Sequence, residues 1–146
     1  MTDPDCVFCQ IVSGEAPASV AYQDEFVVAF LDIRPVTPGH LLVVPRGHVV
    51  GLADLPAAIG AHLFRVAQQL ASALRRSGLR CEGVNLFLAD GAAAFQKVFH
   101  VHLHVLPRWP GDGFALRMKL GTPSRSELNE TAASIRRAVD PKAIKG

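Results

Sequence analysis

His100-Val101-His102-Leu103-His104 sets three imidazoles at a period of two, in a chain with six histidines. Side chains of an extended segment alternate between faces. The three histidines therefore share one side, and Val101, Leu103 and Val105 face the other. A neutral imidazole binds metals, and near neutral pH the same ring acts as acid, base or nucleophile. Two chemistries suit the row: a three-histidine metal centre, or nucleophilic and acid–base catalysis.

A second group of ligand-type residues lies elsewhere. Cys6 and Cys9 have the Cys-x2-Cys spacing. With His48 and one member of the row they would supply the four ligands that structural zinc takes. A redox pair and two buried thiols are the alternatives. Thioredoxin-type pairs follow a strand and open a long helix, whereas this pair precedes every predicted strand. The total of three cysteines argues against a disulfide framework. Cys81 reads as a small packing residue.

These residues need elements to position them. Cys6 to Val12 reads as a short helix, stopped by Ser13-Gly14 and Pro17. Val20–Gln23 and Phe26–Leu31 read as strands around an Asp24-Glu25 turn. A proline-punctuated loop follows, then a buried strand over Leu41–Val44. Leu55, Ile59, Leu63, Val66, Leu70 and Leu74 draw one apolar stripe. That stripe predicts a long helix capped by Asp54 and closed by Gly78. Strands over Val84–Ala89 and Val98–Leu106 follow, the second ended by Pro107. Ser124, with Glu127 three residues on, opens a final helix to about Val139. Short turns between strands favour antiparallel pairing. The expected fold is α+β: an antiparallel sheet with the long helix on one face.

The chain has 146 residues, 49% hydrophobic and 19% charged, with a net charge of +2. That is one ordinary globular domain. The small charge argues against a general nucleic-acid binder. Arg136, Arg137, Lys142 and Lys145 read as a solvated helix and tail. No apolar run reaches the ~20 residues of a membrane span. The acidic start Met1-Thr2-Asp3-Pro4-Asp5 lacks the order of a signal peptide. The expectation is a cytoplasmic protein without membrane contact.

His100-Val101-His102-Leu103-His104-Val105-Leu106 resembles the signature of the histidine-triad (HIT) family. Cys6-Val7-Phe8-Cys9 looks like the cysteine pair of its zinc-containing bacterial branch. Phe30-Leu31-Asp32-Ile33-Arg34-Pro35 and Pro38 through His48 are similar to two further family segments, and Gln96 and Pro107-Arg108 also fit. The resemblance covers about residues 5 to 115, leaving 116–146 as a C-terminal tail or helix. It implies a HIT-like fold in a single domain. It further implies a hydrolase or nucleotidyl transferase that cleaves at the α-phosphate of nucleoside phosphoramidates or dinucleoside polyphosphates. A nucleotide-binding or signalling module with little catalysis is the alternative.

By the same resemblance, His102 is the nucleophile and forms a nucleotidyl-histidine. His104 contacts the phosphate and the bridging or leaving atom, and Gln96 contacts the phosphate. Asp32 binds the ribose hydroxyls of a purine nucleotide, Ile33 lines the base pocket, and His40 supports the row from behind. Structural zinc is held by Cys6, Cys9, His48 and His100. Trp109 and Phe114 follow the triad, a region that reaches the partner subunit in relatives, so a homodimer is implied. Two positions depart from the pattern. Ala89 stands where many relatives carry Asn or Gln, and Phe95 where they carry Gly. Phe95 is expected to reshape its loop or narrow the pocket, because only glycine adopts positive backbone angles cheaply.

Overall fold

The computed structural model describes residues 2–144; Lys145 of the basic tail lies outside them. The order is α1 (Val7–Ser13), β1 (Val20–Gln23), β2 (Val27–Leu31), β3 (Leu41–Pro45), α2 (Ala57–Arg76), β4 (Gly83–Leu88), β5 (Leu103–Arg108), α3 (Arg125–Ala138) and α4 (Pro141–Ile144). A short 3₁₀ turn, Ala92–Ala94, lies between β4 and β5. The chain divides into two compact units, one ending at Phe114 and one beginning at Ala115.

The first unit is an antiparallel five-stranded sheet in the order β1-β2-β3-β5-β4. The apolar runs of β2 and β3 are buried on both faces, as continuous hydrophobic strands require. On one face Val27, Ala29, Leu41, Val43, Val101, Leu103 and Val105 pack against the α2 stripe of Leu63, Val66, Leu70 and Leu74. On the other, Val28, Phe30, Leu42 and Val44 pack against Cys6, Phe8 and Cys9. Thus α1 covers the histidine face and α2 the opposite one. Gly39 turns the chain into β3 with φ +95; a Cβ there would meet Leu79, Leu74 and Pro107 at 3.0–3.3 Å. Only glycine fits both the angle and the space.

Three expectations change. Asp54 does not cap α2: the helix begins at Ala57 with Pro56 as its N-cap. A residue before proline is disfavoured in helical geometry, so Leu55 cannot extend the helix backwards, and Asp54 and Leu55 sit instead in a turn on Gly51 and Leu52. The last strand starts at Leu103, so His100 and His102 precede it. The β3–β5 ladder stops at Val43–Leu103. Continued, it would bring Pro45 opposite Val101, and proline has no N–H to give. Pro107 does not end the strand. It pairs with Val84 inside β5, and its carbonyl accepts from Thr37 Oγ1 at 2.7 Å.

In the second unit, Ser124 Oγ accepts from the Glu127 N–H and the Glu127 carboxylate accepts from the Ser124 N–H. This is the capping box the sequence predicted. The turn α4 was not anticipated. No helix among the described residues is long and apolar enough to cross a membrane.

Phe95 is the one non-glycine residue with positive φ among those described, at 70°, and its ring is 80% exposed. The loop keeps the left-handed turn and places a phenylalanine in it, at a cost of about 1–2 kcal/mol. Phe95→Gly removes that strain and loses little burial, while glycine adds chain entropy to the unfolded state. A net gain of about 0.5–1 kcal/mol is expected, read as a rise of about 2 °C in the thermal midpoint. A lower midpoint contradicts the strain assignment.

Candidate active site and metal centre

His100 is fully buried and His102 is 7% exposed. The segment carrying them bends at His100 and makes no ladder bonds, held instead by a bond from the Val101 N–H to the Val49 carbonyl (2.7 Å). The alternation inferred from the sequence persists, with Val101, Leu103 and Val105 in the core on the α2 side. His102 Nδ1 lies 2.7 Å from the His100 carbonyl. A carbonyl only accepts, so Nδ1 carries a proton, and in the neutral ring Nε2 then keeps its lone pair. The Phe8 ring packs edge-on against His102, with centroids 5.1 Å apart. Phe8 was not singled out from the sequence; its place inside the Cys-x2-Cys helix was the available signal.

His104 is fixed by a relay. The Val36 N–H donates to His40 Nδ1 (3.1 Å), so the His40 proton lies on Nε2. That group donates to His104 Nδ1 (2.8 Å), which leaves His104 protonated at Nε2. Burial holds His104 down to a pKa of about 4, with the neighbouring His102 and His40 adding to the shift and Asp32 opposing it. Burial also lowers His40, again against Asp32. Both rings are therefore neutral at pH 7. Asp32 lies 3.7 Å from His40 through Oδ2, while its Oδ1 accepts from the Arg34 N–H (2.8 Å). Ile33 is 91% exposed beside it. Phe87 on β4 faces His104 across the ladder, with ring centroids 5.9 Å apart.

Gln96 is buried and fully engaged. Its Oε1 accepts from the Gly91 N–H (2.7 Å), and its Nε2 donates to the carbonyls of Val50 (2.7 Å) and Val98 (3.2 Å). Ala89, also buried, offers no side-chain polar group. Trp109 lies under Arg80 and Phe114 under Arg108, so both aromatic rings after the triad have cationic partners within the chain.

Cys6, Cys9, His48 and His100 converge, with thiol and imidazole donors close together. Cys6 Sγ and Cys9 Sγ lie 3.5 and 3.6 Å from His100 Nδ1, and Cys9 Sγ lies 3.4 Å from His48 Nδ1. Tetrahedral zinc, with its usual bonds to sulfur and nitrogen, sets such atoms about 3.5 Å apart. His100 Nε2–H donates to the Pro45 carbonyl (2.8 Å), which bares Nδ1 towards the thiols, as an outer partner of a ligating histidine does. The donor set fits zinc. A second cluster, Asp32, His40 and His104, also brings its donor atoms close. It does not fit a metal: His40 already accepts at Nδ1, and ligation through Nε2 would demand an imidazolate.

An α+β unit with a histidine row, buried at His100 and His102, on the sheet face opposite its long helix defines the class. The HIT domain family model matches residues 13–111, and the chain belongs to the HIT family. An uncharacterized HIT-like protein of Mycobacterium tuberculosis is 50% identical over 107 residues, 73% of this chain and 74% of that protein. An adenylylsulfatase of Arabidopsis thaliana is 35% identical over 104 residues, 71% of this chain and 52% of that one. The crystal structure of a zinc-bound histidine triad family protein from Mycobacterium smegmatis superposes with a TM-score of 0.74 at 47% identity, covering 92% of this chain and 98% of that one.

The depressed histidines have a consequence for stability. Unfolded histidine titrates near 6.5, and His104 folded near 4. Between these values the unfolded chain binds more protons, so stability falls as pH drops from about 7 towards 4. Urea midpoints measured at pH 7 and 5 are expected to decline. The decline should be shallower in His104→Asn; an equal decline in both proteins contradicts the assignment.

Proposed function

We propose that this protein is a nucleotide hydrolase or nucleotidyl transferase acting at the α-phosphate of nucleoside phosphoramidates or dinucleoside polyphosphates, through a nucleotidyl-His102 intermediate. The observation that carries this reading is the His102 Nδ1 bond to the His100 carbonyl. In the neutral ring it directs the Nε2 lone pair outward as a nucleophile, and it stabilises the cation that forms on attack.

The Nε2 lone pair of His102 attacks phosphorus, and the bond from phosphorus to the leaving atom breaks. The leaving atom accepts a hydrogen bond from His104 Nε2–H, which the relay from His40 keeps on that nitrogen, and takes its proton from solvent. Water then attacks the same phosphorus and releases one proton to solvent, which offsets the proton taken by the leaving atom; the nitrogen–phosphorus bond breaks, and His102 returns to neutral as nucleoside monophosphate leaves. Asp32 receives the ribose hydroxyls and exposed Ile33 the base, which we read as a purine. The relative named as an adenylylsulfatase supports action on an adenylyl compound.

Zinc, when bound by Cys6, Cys9, His48 and His100, would supply a fixed cross-link rather than a reacting centre. The chain's own residues then keep the His100 carbonyl in place for His102. We also read the protein as a homodimer. β4 is an edge strand with Leu86 and Phe87 exposed, the kind of open edge that proteins cover.

His102→Ala is expected to reduce hydrolysis of adenosine phosphoramidate and diadenosine tetraphosphate to background while AMP still binds, read by product chromatography and calorimetry. Full turnover in that variant would falsify the mechanism. Wild-type protein that cleaves neither compound yet binds AMP points to the binding module. Cys6→Ser combined with Cys9→Ser should lose one zinc per chain by elemental analysis. Zinc retained at full stoichiometry contradicts the ligand set.

A further inference from the structure

His102 stands on a segment without ladder partners, so something other than the sheet must fix it. Residues 98–102 are tied to residues 49–50 at two points. One is the Val101 N–H on the Val49 carbonyl. The other is Gln96, whose amide reaches both the Val50 and the Val98 carbonyls. Gln96 also closes its own loop, through Oε1 on the Gly91 N–H and through its backbone N–H on the Gly91 carbonyl (3.1 Å). A primary amide has two N–H groups, and both are used on backbone carbonyls. None is left for a phosphate.

We propose that Gln96 is a positioning residue: it sets the register of the His100–His102 segment against residues 49–50 and so aims the nucleophile, rather than touching substrate. This rests on the reading of His102 as nucleophile. It also accounts for the strained neighbour, because the bonds that Gln96 makes across the loop hold Phe95 in its left-handed conformation. Removing them leaves two carbonyls and one N–H without their partners in a partly buried place, and the segment is free to shift.

The test uses the zinc-loaded full chain. Gln96→Met keeps the volume and loses every side-chain bond. Its kcat for adenosine phosphoramidate should fall at least tenfold while its AMP Kd stays within twofold. A tenfold weaker AMP Kd, with kcat nearly unchanged, identifies a phosphate contact and overturns the proposal. Gln96→Glu keeps the acceptor for Gly91 but turns a carboxylate on two carbonyls. Its kcat relative to wild type should recover as pH falls from 8 to 6, where the protonated acid regains one donor; a flat ratio overturns the proposal. Leu70→Ala, destabilised in the core on the α2 side, serves as the control and should keep its kcat. Hydrogen exchange reads the geometry without turnover: the Val101 amide should exchange at least tenfold faster in Gln96→Met than in Leu70→Ala. Equal exchange overturns the proposal. Faster exchange in a protein whose wild type hydrolyses nothing sustains the positioning and rejects the catalytic reading instead.

Discussion

The bond from His102 Nδ1 to the His100 carbonyl, 2.7 Å long, is the constraint on which the rest depends. A neutral imidazole carries one proton, and its position decides which nitrogen can attack. Fixing that proton needs a carbonyl in a definite place. Yet the carbonyl belongs to a stretch that the sheet does not hold, because the ladder stops short of Pro45. The surrounding parts make up the deficit. The His100 ring is anchored between the thiols and the Pro45 carbonyl, Phe8 packs on the His102 ring, and Gln96 and Val49 grip the backbone.

The same need for a defined proton explains the two clusters of ligand-type residues. In the first, an outer hydrogen bond leaves His100 Nδ1 bare beside two sulfurs, which is what a soft cation requires. In the second, the outer hydrogen bond enters His40 at Nδ1 and pushes the proton to Nε2. That arrangement favours handing a proton orientation on to His104 over binding a cation. Burial then keeps the His40 and His104 rings neutral against the pull of Asp32. Desolvation wins because the rings lie inside, whereas the carboxylate reaches His40 only at 3.7 Å.

Two features particular to this chain bear on the site's edge. Ala89 is buried with no polar atom to offer, and Phe95 keeps a turn that glycine would hold at less cost. The strain is tolerated because the loop is over-determined by its hydrogen bonds. What was legible beforehand follows the periodicities. The α2 stripe, the buried runs of β2 and β3, the alternation along the histidine row and the Ser124 capping box were all visible in residue order. The start of α2 departs from the expectation set by residue order: Asp54 is a good cap in isolation, but the restriction that Pro56 places on Leu55 outweighs it.

The sequence by itself determined the chemistry available: three histidines on one side, two cysteines at ligand spacing, an aspartate next to an isoleucine. These depend on residue type and on the geometry of an extended chain, which are local. Only the tertiary structure decided how the histidines divide. His100 turns to the cysteines because α1 packs over that face, His102 takes a backbone carbonyl, and His104 takes the ring of His40 from 64 residues away. It also decided that Gln96 spends both N–H groups on backbone carbonyls. A hydrogen-bonding group takes whichever partner the fold brings within reach, and that partner is set by packing rather than by residue order.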